Sequence, residues 1–430
     1  MKKRNILTAI VLAAIFSING ICRIIEVEEG IYKINQAIQE ASDGDILKLV
    51  TMNGLYTDSV IVIDKRIKLI SDHEDNKPVI KFALAQIGEI PDKFIRIRSD
   101  ITLENLIIDG DCDTDTLLNF IEIEDTINNV TDLRINGCVL KNCNFHPIHQ
   151  ANIATNSISL DTIIITNCTF QDASQAALHL AADNGMGTDP NVYYLKVEDC
   201  TFSNVKIIGR ISSRVGTSTI HINHNTAANI SSKGLIVRDF ESGYIKNSIF
   251  YNIGDNMLDV KGEPSVTSHI IYSGVAGSVV KNDIQLGANC LLSDPLFEDV
   301  TSNDLRLQVG SQAIDAGDDG YNLGNRNLDP DFITGTDNSI FEPNSFSLFN
   351  SPNPFSDQTT IQFNLEKSEI VELNIYNNLG QNVAVLIPGK VYTKGKHQVE
   401  FYTGGLAPGL YYCKISTSSN EKIRKMQLSR

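Results

Sequence analysis

Two histidines stand at the same place in two short apolar segments, His149 in IHQA (148–151) and His179 in LHLA (178–181). Five more segments have the same form: FIRIRS (94–99), FIEIED (120–125), GRIS (209–212), LIVRD (235–239) and LDVK (258–261). Each reads as a short strand with alternate residues facing outward. Stacked in chain order, their outward positions make two columns. The first runs Arg96, Glu122, His149, His179, Arg210, Ile236, Asp259, and the second Arg98, Glu124, Ala151, Ala181, Ser212, Arg238, Lys261. Neighbours in a column would stand about 5 Å apart. A near-neutral base beside a fixed cation can take the proton next to a carboxylate while the cation neutralises that carboxylate and the developing enolate. His149 or His179 suits the base, and Arg210 or Arg238 the cation. Glu122, Asp259, Arg238 and Lys261 are placed to contact a substrate. The plainer reading is a solvated sheet decorated with ion pairs, Arg96 beside Glu122 and Arg98 beside Glu124, each weakly stabilising.

Such stacking requires a chain that returns at a steady interval, and it does. Six lines align: ITLENLII (101–108), LRINGCVL (133–140), IIITNCTF (163–170), LKVEDCTF (195–202), IHINHNTA (220–227) and GYIKNSIF (243–250). Their last residues are 32, 30, 32, 25 and 23 positions apart, the length of one coil of a parallel β-solenoid. Within LKVEDCTF the alternation slips by one at Glu198 and Asp199, which places a sharp bend between two strands. The bend column reads Asn105, Gly137, Asn167, Asp199, His224, Asn247, the types that best accept a left-handed backbone.

The next column, Leu106, Cys138, Cys168, Cys200, Asn225, Ser248, faces inward. Adjacent parallel side chains pointing the same way rarely reach the disulfide dihedral, so these cysteines are expected as free buried thiols even in an exported protein. On this reading Cys168→Ser should destabilise more than Cys413→Ser, Cys413 lying on a terminal strand read as partly solvated. At the N-terminal end, Ile34, Ala37, Ile38 and Ala41 recur at helical spacing, which predicts a short amphipathic helix over the first coil's edge.

The opening INQAIQEASDGDILKL, the turn-Cys-x-Phe coils and the closing SDPLFEDVTSNDLRLQVGSQAIDAGD resemble right-handed parallel β-helix proteins of the pectin-lyase-like superfamily over about residues 24–320. The resemblance implies an all-β right-handed parallel β-helix with a short N-terminal capping helix. It also implies that a polysaccharide, where one is bound, lies along the sheet that carries the two outward columns. That fold serves lyases, hydrolases and adhesins alike. The acidic trio of pectin hydrolases, the Arg-x-Pro-x-x-Arg stretch of pectate lyases and the Lys and Arg pattern of chondroitinase-B-like lyases are absent, so no family catalytic residue carries over.

The tail is a separate unit. Residues 321–350, rich in Asn, Asp and Gly, read as a linker. Beyond them, alternating Ile361, Phe363, Leu365 and Val371, Leu373, Ile375 predict a small antiparallel β-sandwich over 351–430. SPNPF, YNNLGQ and GLYY in this order resemble the C-terminal sorting domain of type 9 secretion cargo, which implies the type 9 machinery as a partner and a secreted or surface-attached product. Residues 1–20 have the layout of a signal peptide: Lys2, Lys3 and Arg4, the apolar run Ile6 to Phe16, then small and polar residues to Gly20. Cys22 would suit a lipoprotein, but Ile21 before it is bulky for that processing.

Charge narrows the partners. The chain carries 36 basic and 52 acidic residues. Removing three basic groups in 1–4, and nine basic and six acidic in 352–430, leaves 24 − 46 = −22 in between. That balance repels nucleic acid, and an anionic glycan would need a local basic groove. No metal site is assigned: His146 and His149 lie three apart without a cysteine pair. The aspartates of DAGDDG (315–320) lack a full calcium loop, so calcium is the single cofactor left open. There is no tryptophan for sugar stacking, leaving Tyr193, Tyr194 and Tyr244. Two classes of function follow, both for a protein expected to be monomeric. One is an enzyme on extracellular polysaccharide, by elimination rather than hydrolysis; the alternative is a non-catalytic adhesin or glycan binder.

Overall fold

The computed structural model describes residues 22–82, 92–110, 119–124, 130–150, 158–182, 189–262, 266–282, 284–329, 347–351, 355–365, 367–418 and 420–428. The signal-peptide reading and Ala151 lie outside these residues, as does most of the loop 182–191. From Ile24 to Leu292 the strands form one continuous system in which every pairing is parallel and joins one coil to the next, for example Ile135 to Ile165 to Val197 to Ile222 to Ile245. It is a right-handed parallel β-helix. Its interior is filled by one apolar cluster running from Val27 to Ile284, because alternate strand residues point inward and are mostly Ile, Leu, Val or Phe. The helix Lys33–Glu40 covers the first coil with Ile34, Ala37 and Ile38 buried. Its first turn is tied down by Asp58, whose carboxylate accepts from the backbone N–H of Ile34 at 3.0 Å and of Asn35 at 3.2 Å.

All six residues of the bend column hold a positive φ, between 49° at His224 and 63° at Gly137. A second such ladder, unread in the sequence, follows at Asn142, Asp172, Asn204, Asn229 and Asn252. Its side chains bond from coil to coil, Asn204 to Asp172 at 3.0 Å and Asn252 to Asn229 at 2.9 Å. These two bends divide each coil and aim three strand faces in fixed directions.

The inward column is buried throughout and its cysteines are free thiols. Burial, reinforced by the neighbouring thiol Cys200, pushes Cys168 well above the ordinary thiol range, so it is inert as a nucleophile. The expected ranking of Cys168 and Cys413 needs correction, because Cys413 is fully buried as well. The Cys168 thiol already donates to the Thr166 carbonyl at 3.1 Å, and Ser248 in the same column donates its hydroxyl to the Lys246 carbonyl at 2.7 Å. A serine at 168 thus inherits a ready acceptor. The Cys413 thiol has no hydrogen bond among the described residues, so Cys413→Ser buries an unsatisfied hydroxyl at about 1–3 kcal/mol. Chemical unfolding should show the larger loss at Cys413; equal losses, or a larger one at Cys168, would refute this account.

Residues 347–428 build two antiparallel sheets, one of three strands and one of four, packed around Leu348, Ile361, Phe363, Val371, Ile375, Cys413 and Met426. This is the expected small sandwich. Its apolar cluster shares no residue with those of the solenoid. The segment read as linker opens differently from the expectation: residues 321–329 lie against the solenoid, with Leu323 buried and Arg326 bonded to Asp199.

Candidate functional site

The seven segments that carry the outward columns do stack on one sheet. Backbone register pairs Arg96 with Glu122, Glu122 with His149, His149 with His179, His179 with Arg210, Arg210 with Ile236 and Ile236 with Asp259. The second column is in register at Ser212, Arg238 and Lys261. Four members of the first column are buried, His149 and His179 at 5% and 2% exposure and Glu122 and Asp259 equally so, while Arg96, Arg210 and Ile236 are half-buried.

The ion pair expected straight across between Arg98 and Glu124 is present, whereas those of Arg96 and Arg238 run diagonally. Arg96 and Arg98 both clamp Glu124, through Nε at 2.6 and 2.8 Å. Burial alone would raise the Glu124 pKa, but these two guanidinium groups hold it below the ordinary carboxylate value. Glu122, expected beside Arg96, turns instead to His149, accepting from its Nδ1 at 2.6 Å, from the Asn119 amide at 3.0 Å and facing Lys93 at 3.3 Å. Asp259 binds Arg238 at 2.8 Å. Glu122 and Asp259 therefore orient His149 and Arg238 from below. Arg210, the register neighbour of His179, makes no ion pair among the described residues.

A third histidine belongs to the group. His146 stacks on His179 at 4.4 Å and on His149 at 5.1 Å between ring centroids, while His149 and His179 stack at 5.0 Å. His146 lies in a column three residues ahead of the first, with Lys93, Asn119, Ala176, Ile207 and Lys233. The constant offset of three from Arg96, Glu122, His149, His179, Arg210 and Ile236 was present in the sequence as HPIH and DKFIR. It went unread because alternation alone does not carry across the bend.

The face as a whole is basic. Lys93, Arg96, Arg98, Arg210, Lys233, Arg238, Lys261 and Lys281 project from it, against the buried carboxylates of Glu122, Glu124 and Asp259. Among the described residues of these strands eight cations face three buried anions, with the exposed Asp64 beside Arg98 at one end, on a chain whose formal charge is −16.

The other candidates lie elsewhere. In DAGDDG, Asp318 faces Lys246 at 2.6 Å, Asp319 faces His224 at 2.7 Å and Asp315 faces Arg424 at 3.6 Å, so oxygens a calcium ion would need are turned to basic side chains. Tyr194 and Tyr244 flank His221 on a different sheet, Tyr244 stacked on it at 4.3 Å. A cleft of about 280 Å³ lined by Thr226, Asn325, Asp329 and Arg424 includes none of the three stacked histidines.

Residues 351–429 match the family described as "Secretion system C-terminal sorting domain". No curated protein matches the chain in sequence. Among solved structures it is similar to the PL6 family alginate lyase AlyGC, at 18% identity and a TM-score of 0.44, over 63% of this chain and 39% of that one. The chain thus spans well under half the length of that enzyme. The protein is a right-handed parallel β-helix that carries a C-terminal sorting domain and is exported by type 9 secretion to the cell surface or the medium.

Proposed function

We propose that the protein binds an acidic extracellular polysaccharide along the basic face of the solenoid and cleaves it by β-elimination at His179 and Arg210. The stripe of eight cations on an otherwise acidic chain carries this reading: it supplies the local groove that a uronate polymer needs to overcome long-range repulsion. Arg210 neutralises the carboxylate of the bound sugar, and His179 takes the proton on the adjacent carbon. The electron pair of that C–H bond becomes a C=C bond, the C–O bond to the next sugar breaks, and His149, held by Glu122, returns a proton to the leaving oxygen. Arg238 and Lys261, in the next coils, bind neighbouring carboxylates. Burial of His149 and His179 favours the second reading, a surface protein that holds the glycan without cutting it.

The test is a panel of uronate-bearing and neutral polysaccharides offered to the purified mature protein, scored for binding at low and high salt and for new unsaturated ends by ultraviolet absorbance. Binding to uronate polymers should weaken as salt screens the stripe, and unsaturated product should accumulate. Equal binding to neutral glycans would remove the role of the stripe, and salt-sensitive binding without product would move the protein to the adhesin class.

A further inference from the structure

We infer that His146, His149 and His179 form a binding site for one transition-metal ion of the zinc class. The regulatory half of this inference rests on the reading just given: the bound ion takes His149 and His179 out of proton transfer and so holds the protein inactive. The observation is a stack of three buried imidazoles, each offering a ring nitrogen, with those nitrogens all within 4.8 Å of one another.

The surroundings of two of the three rings match what histidine ligands require. A ligating imidazole keeps its second nitrogen on a carboxylate or a backbone carbonyl, which fixes the tautomer and directs the lone pair. His149 places Nδ1 on the Glu122 carboxylate at 2.6 Å, and His146 places Nδ1 on the Ala176 carbonyl at 2.9 Å. Both acceptors can only receive a hydrogen bond, so in the neutral rings the proton is on Nδ1 and the lone pair on Nε2. Three neutral nitrogens select zinc, copper or nickel over calcium or magnesium, which need oxygen ligands. Zn–N bonds of about 2.0–2.1 Å in a tetrahedron put nitrogen pairs about 3.3 Å apart. Uptake therefore draws the nitrogens together by up to about 1.5 Å and turns a face-to-face stack into a converging set. Three protein ligands leave a fourth position for water. Glu122 supplies a negative charge beside His149 that offsets part of the ion's charge in this basic face.

The chelator-treated, dialysed mature protein should be titrated calorimetrically with Zn²⁺, then with Co²⁺ for its absorption spectrum. One ion per chain is expected. His146→Ala and His179→Ala should each weaken binding more than about 100-fold and Glu122→Gln about 10–100-fold, while His221→Ala, on another sheet, should bind as the wild type does. Failure of the wild type to bind, or binding indifferent to the loss of His146 and His179, overturns the site. Should a histidine variant not fold, the cobalt spectrum of the wild type decides: intense tetrahedral bands support the site, and a weak octahedral spectrum overturns it. In the glycan assay, zinc should abolish turnover and chelator restore it. Stoichiometric binding with unchanged turnover would overturn the regulatory half alone. A wild type that never cleaves any glycan would remove that half together with the reading it rests on, and leave the metal site to be judged on binding.

Discussion

Alanine at His179 should lower turnover of a uronate polymer by about 10²–10⁴-fold, the usual contribution of a positioned base, and alanine at Arg210 by about 10²–10³-fold, as for removal of one charge-stabilising group. The two should differ in how the loss divides. His179 acts only as the proton leaves, so its loss falls on kcat; Arg210 meets the carboxylate already in the bound sugar, so KM rises as well. Arg98→Ala should do little to either, because Arg98 is spent on Glu124, which keeps Arg96 at 2.6 Å and Lys93 at 3.6 Å when Arg98 is gone. Far-ultraviolet circular dichroism should show all three variants folded, since the core of these coils is formed by Leu178, Leu180 and Ile211 on the opposite face of the same strands. An active wild type whose turnover survives simultaneous loss of His149 and His179 would remove both histidines from the mechanism.

The coil and its columns were legible because a solenoid writes its geometry as a period. The Asn, Gly, Asp and His residues at the bend and the Cys, Asn and Ser stack behind them are one-dimensional signals, set by a backbone that must turn at the same point in every coil. The register of His149, His179 and Arg210 followed from that period alone. What the period could not give was depth and direction. Strand alternation shows that Glu122 leaves the core, but not that it bends along the strand to His149 instead of across to Arg96, a choice made by side-chain length and by Lys93 and Asn119 three residues earlier. His146, set aside for want of a cysteine pair, could not be joined to His179 for the same reason: it reaches His149 and His179 from across a bend. Cys413 was misjudged because a terminal strand in sequence need not be an edge in space. The strand Gly409–Ser416 lies between Glu369–Asn377 and Glu421–Leu428 in its sheet, so its inward residues are fully covered.

Arg326→Ala should destabilise the solenoid by about 3–5 kcal/mol, the cost of leaving a buried charge without its partner. Asp199, one of the left-handed bend residues, is buried, and Arg326 satisfies it with two parallel bonds, from Nε at 2.8 Å and from the terminal nitrogen at 2.5 Å. Burial works against the guanidinium charge, but the bonds to Asp199, aided by Glu198 and Asp319, raise its pKa further above its ordinary value, so the pair stays ionised. The neighbours of Arg326 extend the fastening over other coils: the backbone N–H of Asn325 donates to the Thr226 hydroxyl at 2.8 Å and Asn327 donates to Asn167 at 2.9 Å. Residues 325–327 thus cross three successive turns of the chain. A boundary at 320 would sever them, whereas a fragment of residues 22–329 retains them and should fold without the sorting domain, whose apolar cluster is its own. Chemical unfolding of that fragment and of its Arg326→Ala form measures the difference directly. Arg306→Ala, which breaks the exposed pair with Asp304, should leave the midpoint unchanged. The double variant Asp199→Asn with Arg326→Met should recover part of the loss, because asparagine accepts the left-handed bend and no charge is left buried. A single Arg326→Ala loss no larger than that of Arg306→Ala would mean that residues 325–327 rest on the solenoid without holding it.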